Sequence, residues 1–180
     1  IGSTVPPAPP APPAPPTPPS NSGNYSRTPV GYAFDSHLGS RVLLADDQFK
    51  SVNLGFTFPF YGTEVTKLAL SSNGRIFPLR SGDSVPTDAD YQNQSLPGIS
   101  AYHDDHVPSK SSDTGVWFKS SDQVAFITWV ARSYAYRFDS NPVVEIRVQA
   151  KLFASGEIQF HYGDTYSGDL SFDYGAKIGR

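Results

Sequence analysis

The stretch VEIRVQAKLFASGEIQFHY, residues 144–162, decides the fold. Over residues 144–152, apolar side chains alternate with polar or charged ones, which is the period-two pattern of a strand with one face exposed to water. A short turn containing Gly156 follows, and the apolar residues of 158–162 then share one face of a returning strand. The sequence therefore predicts a β-hairpin in this stretch.

Other parts of the chain carry the same type of signal. Residues 124–130 are apolar on both faces, as expected for a central strand or for one covered by a partner. Asn73-Gly74 suits a tight turn with positive φ between residues 68–71 and Ile76-Phe77. No stretch after Tyr32 has the periodicity of an amphipathic helix. Many short strands with regular turns predict an all-β fold, an antiparallel β-sandwich in one domain over residues 24–180.

The first 23 residues differ in composition from the rest. Ten of the 17 prolines lie between residues 6 and 19, in a repeat of the form Pro-Pro-x. Because proline fixes φ and has no N–H, this segment is predicted to form a polyproline II rod, roughly 45 Å long over residues 5–20. A domain of this size is about 40 Å across. The rod can therefore reach a neighbouring molecule.

We interpret residues 1–23 as a stalk that either binds a second copy of the chain or acts as a semi-rigid spacer. The antiparallel β-sandwich is thus preceded by an N-terminal polyproline II segment. The prolines predicted to contact a partner are Pro6, Pro9, Pro12, Pro15 and Pro18.

Composition and charge narrow the classes of function. A net charge of −3 provides no basic field for nucleic acid or anionic lipid. No apolar run approaches the ~20 residues of a membrane-spanning helix. The chain has no cysteine, which excludes disulfides, thiol nucleophiles and thiolate metal sites. Methionine is also absent, even at position 1, which indicates a processed chain or a piece of a longer one; a removed signal peptide would explain it.

Three stretches carry a family resemblance: NLGFTFPFYG at 53–62, LSSNG at 70–74 and ISAYHDD at 99–105. They resemble the GFxFPFYG…SSNG…DD β-sandwich modules of bacterial surface and secreted proteins, which are distantly similar to the nidogen extracellular domain. The resemblance extends over about residues 49–178. It implies an extracellular setting and no catalytic activity, and it implies no known ligand.

The residues of the first stretch, 53–62, also fit a β-strand that packs on the core. Phe56, Phe58 and Phe60 share one face of a strand and would contribute a large aromatic area to the core. Pro59 predicts that this strand bends or lies at the edge of a sheet, because proline cannot donate to a ladder. Gly62 ends the strand.

The densest group of potential ligands is His103-Asp104-Asp105-His106, which Asp113 could join. Carboxylates and imidazoles could bind a structural divalent cation, the one possible cofactor. The alternative is that the acidic pair organises its loop by accepting hydrogen bonds from backbone amides. Asp46-Asp47, before another strand, is interpreted as a turn in preference to a pair of ligands.

Four residues are predicted sites of glycosylation. Asn24 and Asn93 each begin an Asn-x-Ser tripeptide in a predicted loop. Thr17 and Ser20, within the proline-rich segment, suit O-linked glycan. Sugar there would stiffen and protect the rod.

A second predicted site of contact with a partner lies in residues 132–142. This connection is longer than the β-sandwich modules named above usually have. Tyr134, Tyr136 and Phe138 alternate there with other residues. They either extend a strand and pack on the sandwich, or form an exposed platform for a partner chain or a sugar ring.

These observations favour a non-catalytic, extracellular structural or adhesive subunit. It would self-assemble, through the rod, into an oligomer or surface filament of identical copies carrying glycans. The alternative is a carbohydrate-binding module of a secreted enzyme or adhesin, with Trp117, Trp129 or the 134–138 loop stacking on sugar. A secreted hydrolase ranks last, since no nucleophile–base arrangement or catalytic motif is recognisable.

Overall fold

The structure is a computed structural model that describes residues 25–87, 97–107, 114–133 and 145–163. Within these ranges the regular elements are all β-strands, and they form two antiparallel sheets packed face to face. The predicted antiparallel β-sandwich is therefore confirmed. The strands are β1 (Ser40–Val42), β2 (Phe49–Phe60), β3 (Thr63–Ser71), β4 (Arg75–Leu79), β5 (Ile99–Ser100), β6 (His106–Val107), β7 (Gly115–Ser120), β8 (Val124–Ser133), β9 (Glu145–Phe153) and β10 (Ile158–Tyr162).

The first sheet has the order β1-β7-β8-β9-β10, and β6 also pairs with β8. Strands β9 and β10 form the predicted hairpin, with Leu152 opposite Ile158 and Val148 opposite Tyr162. Gly156 provides the positive φ of its turn, 89°. Strand β8 lies between β7 and β9, so it is a central strand of this sheet.

The second sheet has the order β2-β3-β4-β5, so β2 lies at an edge. Its pairing with β3 shifts register between Asn53 and Phe58. Pro59 lies just beyond this irregularity, at an edge position where its missing N–H does not break a central ladder. The expected edge strand and the Asn73-Gly74 turn between β3 and β4 are both confirmed.

The main core lies between the two sheets. Phe58, Leu68 and Ile76 of the second sheet are fully buried, as are Ile127 and Leu152 of the first. Burying one such side chain contributes about 1.5–3 kcal/mol. Because the chain has no cysteine, this interface provides the cross-sheet cohesion that disulfides supply in some other sandwiches.

The opposite face of the second sheet carries a smaller apolar cluster. Ala69, Phe77 and Leu79 are buried there, and Phe49 packs against them. Of the three phenylalanines expected in the main core, Phe58 and Phe60 are buried and Phe56 is half-buried against it. The second sheet is thus apolar on both faces over part of its area.

Candidate functional site

Two loops that are distant in sequence meet at the β3–β4 turn, and we call the three stretches the turn cluster: residues 46–48, 71–74 and 101–106. The Ser72 N–H donates to the Gln48 carbonyl at 2.9 Å, and the Ala101 N–H donates to the Gly74 carbonyl at 3.1 Å. Two of the three stretches that carry the family resemblance therefore lie side by side.

Gly74 is required by this close approach. Its φ is 77°, a left-handed conformation that residues with a Cβ rarely adopt. A Cβ at this position would lie 1.9 Å from the Tyr102 carbonyl oxygen, far inside van der Waals contact. The glycine of the Ser-Ser-Asn-Gly motif thus permits both the turn and the seating of the 101–106 loop.

Asn73 connects all three parts of the turn cluster through its side chain, which is 1% exposed. Its amide Nδ2 donates to Asp47 Oδ1 at 2.8 Å, and its Oδ1 accepts from the buried His106 N–H at 2.9 Å. The Asn73 N–H donates to Ser71 Oγ at 2.9 Å. Sequence reasoning identified Asn73 only as a turn residue, because none of these partners is predictable from local pattern.

An exposed acidic group lies on this cluster. One carboxylate oxygen each from Asp46, Asp47 and Asp105 lies within 4.8 Å of the others. Oxygen ligands of this kind suit a hard cation such as Ca²⁺, and exposed acidic groups are also common without one. Residues 46–47 form a turn, with Asp47 at a φ of 55°.

The other predicted metal ligands have different surroundings. His106 is buried, its ring stacks on Tyr102 with centroids 5.5 Å apart, and its Nε2 lies 3.0 Å from the Tyr102 carbonyl oxygen. Asp104 is buried, and its Oδ1 accepts from the Asp105 N–H at 2.9 Å. Neither these two nor His103 belongs to the acidic group found among the described residues. Asp105 instead joins the 46–47 turn, which sequence spacing could not indicate.

Trp129, one of the proposed sugar-stacking residues, lies in the main core and is 2% exposed. Its indole Nε1–H donates to the Ser71 carbonyl at 2.8 Å, which ties the first sheet to the turn cluster. That prediction for Trp129 was wrong, because a buried ring cannot stack on a sugar. Trp117 is half-buried and stays a candidate.

Residues 32–37, which we call the strap, cross the face of the first sheet that the alternating pattern predicted to be exposed to water. The buried Gln149 side chain accepts from the Asp35 N–H at 2.9 Å and donates to the Asp35 carbonyl at 3.1 Å. The Lys151 ammonium donates to the Ala33 carbonyl. The prediction of an exposed face is therefore wrong at Gln149 and Lys151, which are 0% and 8% exposed.

Charge and protonation also hold the strap. Lys119 Nζ lies 2.6 Å from Asp35 Oδ2, and this hydrogen bond lowers the pKa of the carboxyl. His161 Nδ1 accepts from the Ala33 N–H at 3.3 Å, which requires the neutral imidazole. Burial lowers the pKa of His161, and the nearby Lys151 ammonium lowers it further, so the neutral form is favoured.

Tyr25 is the first described residue after the proline-rich stretch, and it packs on the β2–β3 turn. Its ring centroid lies 6.3 Å from that of Phe60 and 5.3 Å from that of Tyr61. Beside these rings lies a cavity of about 410 Å³, which we call the aromatic groove. Its lining includes Phe60, Tyr61, Val65, Phe77, Val85 and Pro86.

Several predictions fall outside the described residues. They concern the polyproline II rod with its contact prolines and O-glycan sites, the two Asn-x-Ser tripeptides, one metal ligand and the aromatic residues of the 132–142 connection. The residues concerned are Pro6, Pro9, Pro12, Pro15, Pro18, Thr17, Ser20, Asn24, Asn93, Asp113, Tyr134, Tyr136 and Phe138.

The fold and the turn cluster define a β-sandwich domain. Two of the three stretches that carry the family resemblance hold its loops together. The chain belongs to the NIDO-related family, whose model matches residues 22–179. Membership of a nidogen-related family points to an extracellular context. Comparison with curated proteins and with solved structures gives no match. The described residues include no helix with the length and apolar character needed to cross a bilayer.

Proposed function

We propose that this chain is a non-catalytic structural or adhesive subunit that works outside the cell and assembles with further copies of itself through residues 5–20. The observation that carries the proposal is the strap. The residues that follow the proline-rich segment are fixed to the first sheet by side chains of three strands, Lys119, Gln149, Lys151 and His161. A force applied to the segment would thus be transmitted to a sheet, which suits a load-bearing connection.

The sequence supports the same proposal. Residues 5–20 carry no charge and few backbone donors. Polyproline II is ordered before binding, so docking costs little conformational entropy. A contact repeated head to tail between identical copies builds an open filament unless the rotation closes into a ring.

The test compares the full chain with two variants. One lacks residues 1–20, and the other carries a Gly/Ser segment of equal length in place of residues 5–20. Electron microscopy and light scattering of material from a secreting host report assembly. We expect both variants to remain monomeric. Assembly of the Gly/Ser variant at the level of the full chain would show that the segment is only a spacer.

The carbohydrate-binding alternative now depends on Trp117 and residues 134–138, since Trp129 is buried. Glycan-array binding that is lost in Trp117→Ala would favour it over assembly. Glycan carried at Asn24, Asn93, Thr17 or Ser20 stays a prediction, and mass spectrometry of native material tests it. A structural divalent cation in the acidic loops also stays a prediction, which calorimetric titration with Ca²⁺ tests.

A further inference from the structure

We propose that the aromatic groove is the receptor for residues 5–20 of a second copy of this chain. This inference rests on the proposed function, and it names the surface of the domain that residues 5–20 of another copy would contact. It starts from where the described chain begins: Tyr25 packs on Phe60 and Tyr61, two residues that also line the groove. The described chain therefore begins beside the groove.

The groove has the chemistry that binds a polyproline II helix. Such helices dock on aromatic-lined surfaces, where proline rings pack against flat side chains. Tyr61 is 45% exposed, and Val85, on the groove lining, is 36% exposed, so both are available to a partner. The volume of about 410 Å³ lies within the range of small binding sites.

Polar groups on the same surface match the carbonyls of the rod. A polyproline II helix presents its carbonyl oxygens to the outside and has no internal hydrogen bonds. Tyr61 offers a hydroxyl donor, and the exposed Arg80, also on the lining, offers five N–H donors. Because residues 5–20 are uncharged, they place no charge of their own in this mostly apolar site.

Tyr61 and Gly62 form the two-residue turn between β2 and β3, with φ values of 45° and 73°. Positive φ at both central residues is the usual geometry of such hairpin turns. The turn therefore fixes the position of Tyr61 on the groove lining. Here the conformation accompanies an edge-to-face contact with Phe60, with centroids 4.7 Å apart, and leaves nearly half of the Tyr61 side chain in solvent.

A second copy is a better occupant than the same chain. Residues 21–24 can span at most about 14 Å, so only the last residues of the chain's own segment could turn back into the groove. The rest of a rod roughly 45 Å long would still project beyond a domain about 40 Å across. The repeat offers an equivalent turn every three residues, so a neighbour's groove can accept any part of it.

The test uses the full chain and two independent changes to the groove, Tyr61→Ala and Val85→Lys. The control Leu43→Lys adds the same charge at a position that is 70% exposed and outside the groove. Circular dichroism and melting temperature verify that each variant is folded. We expect both groove variants to raise the concentration needed for assembly by about tenfold or more, as expected for loss of a central contact. The control should assemble like the wild type.

Two further measurements identify the occupant. A synthetic peptide of residues 5–20, added in large molar excess, should inhibit assembly of the wild-type chain. A photo-reactive side chain at Thr17, in a mixture of isotopically light and heavy chains, should give light–heavy cross-links to residues 60–86. Cross-links within single chains only, or no inhibition by the peptide, would overturn the proposal.

The outcomes separate this inference from the proposed function. If removal of residues 1–20 abolishes assembly while Tyr61→Ala and Val85→Lys assemble normally, the groove is not the receptor and the connector function stands. If the deletion has no effect, both ideas are wrong. A defect in Leu43→Lys equal to that of Val85→Lys would show that added charge alone disturbs assembly, and it would refute the argument from the groove.

Discussion

Replacing Asn73 by alanine should destabilise the domain far more than its position in a turn would suggest. The change leaves the buried His106 N–H without its acceptor, which costs about 1–3 kcal/mol. It also removes the hydrogen bond to Asp47, worth about 1 kcal/mol at this partly exposed position. Together the two losses come to about 2–4 kcal/mol, or a decrease of roughly 5–15 °C in melting temperature for a domain of this size.

Thermal and urea unfolding measure this effect, and Asn53→Ala is the matched control. Asn53 is exposed on the edge strand β2, so its replacement should change stability by about 0.5 kcal/mol or less. If the two alanine variants unfold at the same temperature, the side chain of Asn73 does not hold the turn cluster together, and the argument from its contacts fails.

Asn73→Asp separates the two contacts. The aspartate keeps an acceptor for the His106 N–H but places a carboxylate against Asp47, close to Asp46 and Asp105. We expect destabilisation near neutral pH from this like-charge contact. The difference from wild type should narrow as the pH falls to about 4, where carboxylates begin to be protonated. A difference that does not change with pH would contradict the electrostatic explanation.

Three further predictions follow from single contacts. Trp129→Phe removes the indole N–H that donates to a carbonyl of the turn cluster, and urea unfolding should show a loss of about 1–3 kcal/mol. Gly74→Ala should abolish folding by circular dichroism, whereas Gly82→Ala, also at positive φ but with open space around it, should cost only about 1–2 kcal/mol. Stability should fall as the pH drops below about 6.5, because the unfolded chain protonates His161 before the folded one does; His161→Gln should flatten this dependence.

The sheets were predictable from the sequence because their signals are local. The alternation in residues 144–152, the turn at Gly156 and the two-sided apolar character of residues 124–130 each follow from strand geometry alone. The edge position of β2 followed from Pro59, since a missing N–H is tolerated only there or at a bulge. Each of these inferences needs only neighbours in sequence.

The loops and the outer face were not predictable in the same way. Asp105 meets Asp46 and Asp47 across more than fifty residues of chain, and no spacing rule encodes that contact. Gln149 looks like an ordinary solvent-facing residue of an amphipathic strand. Its burial depends on where the strap lies, and the strap has no periodic pattern of its own. Long-range polar contacts are therefore visible only in the folded structure.

The way the strap is attached has a mechanical consequence. It is not a strand of the sheet ladder; it is bound by side chains that project from the sheet below. Its backbone binds Gln149 and Lys151 of β9 and His161 of β10, and its Asp35 carboxylate accepts from Lys119 of β7. Each hydrogen bond is modest, about 1 kcal/mol net, but a load on the proline-rich segment would be shared among three strands. Such an attachment requires polar side chains on the outer face of the sheet, because apolar side chains cannot form hydrogen bonds with the strap backbone.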